Sequence, residues 1–178
     1  LPGAALAQSP AASPAAECVP GVVGAIDHPT GCTDIVLRVD SWGGFVPVEV
    51  SLTSVPVFTL YGDNTAVFLP QPKDGMYPGP GQPMTPLGTA QLSPAEVDAL
   101  LTFALGPGGL ASAAESYNNP LIADAPTTVF TIDAGGIQKQ VSAVALGFDD
   151  ETSPDKEILA QLASLYDLIP RNPLPSGK

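Results

Sequence analysis

Hydrophobic and polar positions follow two periods along this chain. The run Asp34-Ile35-Val36-Leu37-Arg38-Val39-Asp40 is β-branched and bounded by acids, which predicts a strand. Ser41-Trp42-Gly43-Gly44 reads as a turn, after which Phe45 to Leu52 alternates, with Val46, Val48, Val50 and Leu52 on one side. Pro47 places that second run at a sheet edge, because proline cannot donate to a central ladder. Val55 to Tyr61 and Thr65 to Leu69 flank the polar triplet Gly62-Asp63-Asn64, the pattern of a β-hairpin.

The period then changes to that of a helix. Ser93-Pro94-Ala95-Glu96 combines a capping serine, proline at the first helical position and glutamate three residues after the cap. Val97, Leu100, Leu101, Ala104 and Leu105 follow at helical spacing, and Gly106-Pro107 ends the run. Ala111 to Tyr117 adds a turn or two of helix. Thr127 to Asp133 and Ile137 to Leu146, joined by Ala134-Gly135-Gly136, predict a second hairpin. Ser153-Pro154 opens a second helix with Ile158, Leu159, Leu162, Leu165, Leu168 and Ile169 on its apolar face, stopping at Pro170. Between the halves, residues 70–90 hold six prolines, so neither a helix nor a central strand is expected there. Such a long loop tends to be functional or disordered.

Paired strands and a Ser-Pro-capped helix thus occur twice. The expected fold is α+β: one antiparallel sheet of about five or six strands with two amphipathic helices on one face. Two small sheets sharing the helices, or a barrel-like curl of the early strands, are the alternatives. The expected organisation is a disordered segment over 1–17, a disulfide-closed loop over 18–33, one α+β domain over 34–169 containing the Pro-rich loop 70–90, and a tail over 170–178.

Composition narrows the chemistry. Six Lys and Arg against eighteen Asp and Glu give a net charge of -12, which repels phosphate backbones and anionic headgroups, so no nucleic-acid partner is expected. Leu1 to Ala16 carries no charge, and Ala5-Leu6-Ala7 before Gln8 matches a small-x-small signal cleavage site. The same segment reads alternatively as an Ala/Pro linker after an anchor or another domain. Either reading implies a secreted, periplasmic or cell-surface location. No run of apolar residues is long enough to span a bilayer, so a membrane would be reached only through a partner or an anchor outside this chain. Cys18 and Cys32 are the only cysteines and bracket a Gly- and Pro-bearing segment, so a disulfide is expected, two free buried thiols being the alternative. Closing a loop of about 15 residues stabilises by about 3 kcal/mol in the chain-entropy approximation.

Candidate reactive groups are sparse. His28 is the one imidazole, and no nucleophile lies beside it in the sequence. The signatures of common hydrolases, metalloproteases and nucleotide-binding proteins are absent, and one His with two Cys cannot form an ordinary zinc site. No cofactor is expected. Asp149, Asp150 and Glu151 are weak calcium candidates, but they lack the spacing of a calcium loop, and acids ahead of a helix also meet its macrodipole. Trp42, Phe45, Met76, Tyr77 and Met84 are the candidate partner contacts, since aromatic and Met side chains anchor interfaces. A tryptophan folded back over the sheet end is the plainer reading of Trp42.

Three segments carry a resemblance. Phe58-Thr59-Leu60-Tyr61-Gly62-Asp63, Leu92-Ser93-Pro94-Ala95-Glu96-Val97 and Asp124-Ala125-Pro126-Thr127-Thr128 together look like uncharacterised secreted or lipoprotein-like bacterial proteins, over roughly residues 34–169. There a "LYGDG" hairpin, an "S-x-E-E-V" helix and a "DAPTT" strand recur in this order; Asn64 departs from it, standing where glycine is usual. The resemblance implies export and a fold, and transfers no catalytic residue. The expected function is a non-enzymatic extracytoplasmic binding or accessory domain with a protein partner, one form of which is a subunit of a membrane-associated complex. The alternatives are a secreted carboxylate-dependent hydrolase acting on carbohydrate, which needs no local motif, and an inhibitor-like protein-binding module.

Overall fold

The computed structural model describes residues 17–44, 54–70, 86–119, 122–148 and 153–171. In chain order the elements are β1 (Ile35–Gly43), β2 (Phe58–Tyr61), β3 (Thr65–Phe68), β4 (Gly88–Gln91), α1 (Pro94–Leu105), β5 (Ser116–Tyr117), β6 (Pro126–Ala134), β7 (Ile137–Val144) and α2 (Lys156–Arg171). The strands form one seven-stranded sheet in the order β4-β3-β2-β1-β6-β7-β5. Both expected hairpins are present, and β1 joins them by pairing antiparallel with β2 and β6.

The α+β class holds, while the strand count and the purely antiparallel sheet do not. β5 pairs parallel to β7, so the sheet is mixed. It lies where a turn or two of helix was expected over Ala111 to Tyr117. The Lys139 ammonium donates to the carbonyls of Ala111 and Ala113, and the Tyr117 hydroxyl accepts the Ala114 N–H, so these groups are bonded outside any helical ladder. β4 occupies the end of the stretch read as a long loop, and its place at the sheet edge suits a segment that follows Pro86. The run Phe45 to Leu52 and most of the Pro-rich stretch lie outside the described residues.

Alternation in the strands explains the layers. Leu37 and Val39 of β1, Phe58 and Leu60 of β2, and Phe130 and Ile132 of β6 are cross-strand partners, and all are buried. A register shift between Ile35 and Leu37 lets Val36 and Leu37 both be buried, as a bulge allows. These residues form one cluster with Val97, Leu100, Leu101 and Ala104 of α1 and Leu162, Leu165 and Ile169 of α2. The helical residues recur at three- and four-residue spacing, so each helix turns one apolar stripe onto the same side of the sheet.

α1 begins as expected. Ser93 accepts the Glu96 N–H at 3.3 Å, while the Glu96 carboxylate accepts the Ser93 N–H at 2.7 Å. The bonds from the Ser93 N–H and then its hydroxyl hold the Glu96 carboxyl below the usual carboxylate range. The helix starts beside β4 and the β2–β3 turn, where Leu92 N–H donates to Asn64 O, and ends where Leu105 packs beside Gly135 in the β6–β7 turn. Twelve residues rise about 18 Å, close to the roughly 19 Å between β4 and β6, so α1 crosses the sheet.

α2 starts two residues later than the sequence pattern suggests. Ser153 and Pro154 form a turn, and the Asp155 carbonyl accepts the first helical N–H, from Leu159. The helix runs through Pro170 to Arg171, past the proline at which the sequence pattern ends it.

Cys18 and Cys32 form the disulfide, with Cα atoms 5.9 Å apart. The loop they close straps the end of the sheet that carries the β2–β3 and β6–β7 turns. Asn64 Nδ2 donates to Val22 O at 3.2 Å, Gly135 N to Asp27 O at 2.8 Å and Gly62 N to Asp34 O at 2.9 Å. The Asp98 carboxylate of α1 accepts both Ala25 N–H and Ile26 N–H, which hold its pKa below the usual range.

Candidate functional site

With the helices on one side, the other side of the sheet is where β1 turns Arg38, Asp40 and Trp42 at every second residue. Register sets Arg38 between Thr59 and Thr131, with Gln140 beyond Thr131. Asp40 lies beside Val129 and then Ser142, and Trp42 beside Thr127 and then Val144. The face thus carries a strip of hydroxyl and amide groups and two valines around one ion pair, with an indole at one end.

The ion pair is a fork. Arg38 Nε donates to Asp40 Oδ2 at 2.7 Å and Nη2 to Asp40 Oδ1 at 2.9 Å, within one strand. Hydrogen bonding to Asp40 raises the Arg38 pKa against a smaller opposing effect of burial, with Tyr61 adding to the rise. A guanidinium is charged at any relevant pH and keeps unused donors beyond the two spent on Asp40. Both side chains are partly exposed, at 38% and 26%, so the pair adds little stability. Gln140 Nε2 donates to Thr131 Oγ1 at 3.3 Å, while Thr59 and Val129 are buried in the floor of the strip.

Trp42 is 45% exposed. The turn expected over Ser41 to Gly44 is instead strand through Gly43, because β6 offers partners as far as Pro126. Gly43 and Gly44, at φ 83° and 79°, then take the left-handed conformation that ends the strand. The indole is therefore carried on a paired strand rather than on a loop. Phe45, Met76, Tyr77 and Met84 lie outside the described residues. Register places Gly44, Pro70, Pro86 and Leu87, which flank the segments bearing those four residues, at the same end of the sheet as Trp42. Leu87, like Trp42, is exposed.

The reactive inventory sits elsewhere. His28 is buried in the strap; its Nδ1 bonds the Pro29 carbonyl at 2.8 Å, and its Nε2 has no partner among the described residues. Neither a hydroxyl nor a carboxylate lies in hydrogen-bond reach of Nε2 among the described residues. Among the described residues no group of three or more His, Cys, Asp or Glu is arranged to hold a metal. The calcium candidates Asp149, Asp150 and Glu151 fall outside them. Sequence reading singled out Trp42 but missed Arg38 and Asp40, whose spacing of two marks only a shared strand face until register supplies the Thr and Gln neighbours.

No helix among the described residues is long and apolar enough to cross a membrane. No protein-family model, no curated protein and no solved structure matches the chain.

Proposed function

We propose that this chain is a non-enzymatic extracytoplasmic binding or accessory domain that meets a protein partner through the sheet face opposite α1 and α2, as a subunit of a membrane-associated complex. The observation that carries the reading is Trp42, half-exposed on a rigid paired strand beside a polar strip. A large aromatic group held this way buries much area on binding and loses little conformational entropy. The disulfide supports an oxidising, extracytoplasmic setting. The likeness to uncharacterised secreted and lipoprotein-like bacterial proteins belongs to the same proposal.

Binding is preferred over carboxylate catalysis because five of the eighteen acids have structural work. Asp40 is held by Arg38, Asp98 by two strap amides, Asp63 by the Thr65 N–H, Asp34 by the Gly31 N–H, and Glu96 by Ser93. A glycosidase needs two carboxyls facing one cleft, one of them kept protonated; the resolved shifts at Glu96 and Asp98 are downward, which favours the ionised form.

The test is affinity capture from native membranes and the extracytoplasmic fraction of the producing cell, with the wild-type chain and Trp42→Ala in parallel. A stoichiometric companion retained by the wild type and lost by the variant is expected. Hydrolysis of members of a glycan panel by the purified chain alone would overturn the proposal.

A further inference from the structure

The strap encloses a second feature, at the opposite end of the sheet from Trp42. A groove of about 550 Å³ runs between the disulfide loop, the β2–β3 turn and the start of α1. We propose that it receives a basic side chain, Lys or Arg, carried between apolar residues on a segment of the protein partner. This deepens the binding reading above and rests on it.

The lining is an inventory of acceptors. Glu17 and Asp63 contribute carboxylates, and no Lys, Arg or His lines the groove among the described residues. Each side-chain amide nitrogen there spends a donor within the chain: Asn64 Nδ2 donates to Val22 O at 3.2 Å and Gln91 Nε2 to Asp63 O at 2.7 Å. Their oxygens differ. Gln91 Oε1 accepts the Thr65 hydroxyl, whereas Asn64 Oδ1 is buried without a partner among the described residues, in a residue only 3% exposed. That oxygen faces Gly21, also in the lining, where an ideal Cβ would lie 3.0 Å from it. Buried acceptors are rarely left unpaired, and a wall of acceptors calls for a ligand made of donors. The chain's net charge of -12 favours a cation for the same place.

The rim argues for a peptide rather than a free amine. Val19 and Val22 on the loop are 75% and 64% exposed, and Leu92 and Pro94 line the groove's other side. Apolar residues flanking the basic one would cover these valines. The loop is held in advance by the disulfide, by Gly21 N donating to Thr30 O at 3.0 Å and by the Asp98 clamp, so little ordering is needed on binding.

The probe is a capped peptide, acetyl-Ala-Leu-Arg-Leu-Ala-amide, titrated into the ¹⁵N-labelled, oxidised full chain, beside the same peptide with Gln for Arg and beside spermidine. The Arg peptide is expected to give saturable shifts at the amides of Val19, Val22, Asn64 and Gln91, about tenfold tighter than the Gln peptide. Added salt should weaken it. Glu17→Gln with Asp63→Asn should cost about tenfold in affinity; asparagine can still accept the Thr65 N–H, and Glu17→Gln alone serves if the pair fails to fold. Trp42→Ala is expected to leave peptide affinity unchanged, so failure of the Trp42 interface and failure of the groove are separable. Equal binding of the Gln peptide, shifts confined to other residues, or no saturable shift would each overturn the proposal. Spermidine binding as tightly as the Arg peptide would overturn the peptide assignment.

Discussion

Asp98 holds Ile26: its Oδ1 accepts the Ile26 N–H at 2.9 Å, while Oδ2 accepts the neighbouring Ala25 N–H at 2.7 Å. One carboxylate on α1 thereby pins the middle of a strap that the disulfide closes at its ends. The two fastenings act differently. The disulfide limits the unfolded chain, whereas Asp98 supplies bonds that exist only when the strap is docked.

Asp98→Ala is therefore expected to expose the amides of Ala25 and Ile26 to solvent exchange while leaving those of β1 and β6 protected. Hydrogen exchange read by NMR checks this. The wild type should show the same loss with acid. The Asp98 pKa is lowered on folding by the two amide bonds, so its stabilising effect is complete above the ordinary aspartate value of about 4 and disappears as pH falls through the folded value. Strap amides that lose protection above that window would contradict the assignment.

Replacing both Cys18 and Cys32 by serine is expected to lower stability by about 3 kcal/mol, measured by urea unfolding against the oxidised wild type. The remaining fastenings at Asn64, Asp98 and Gly135 should keep the native sheet spectrum at low denaturant.

Gly62→Ala should cost about 1–3 kcal/mol, as overpacking usually does. A methyl group there would meet Pro29 O at 2.6 Å and Gly31 O at 2.7 Å, both backbone atoms that cannot swing aside. The strap and the β2–β3 turn should loosen together, seen as joint loss of exchange protection at Gly62 and Asn64. Unchanged stability would mean that the strap does not sit on that turn.

Periodicity and capping made much of the fold legible. The hairpin around Gly62-Asp63-Asn64, the second around Gly135-Gly136, and α1 from its Ser93 cap each depend on neighbours in sequence, so the sequence contains their causes. What it hid is non-local. β5 exists because Tyr117 and Ser116 meet β7, and Trp42 is strand because β6 continues to Pro126. α2 starts later than its pattern predicts because Ser153-Pro154 is as good a turn as it is a cap. For the candidate site, Trp42 was visible as a lone aromatic, but the Arg38–Asp40 fork needed the pleat, and the Asn64 wall needed the strap to be folded across it.

Trp42 is the single tryptophan, so its fluorescence reports on the proposed interface alone. The most direct measurement is quenching of that emission by acrylamide in the free chain and in complex with the captured companion. Ready quenching when free and strong protection when bound are expected. A companion that binds while leaving the quenching of Trp42 unchanged would contradict the assignment of this face to partner binding.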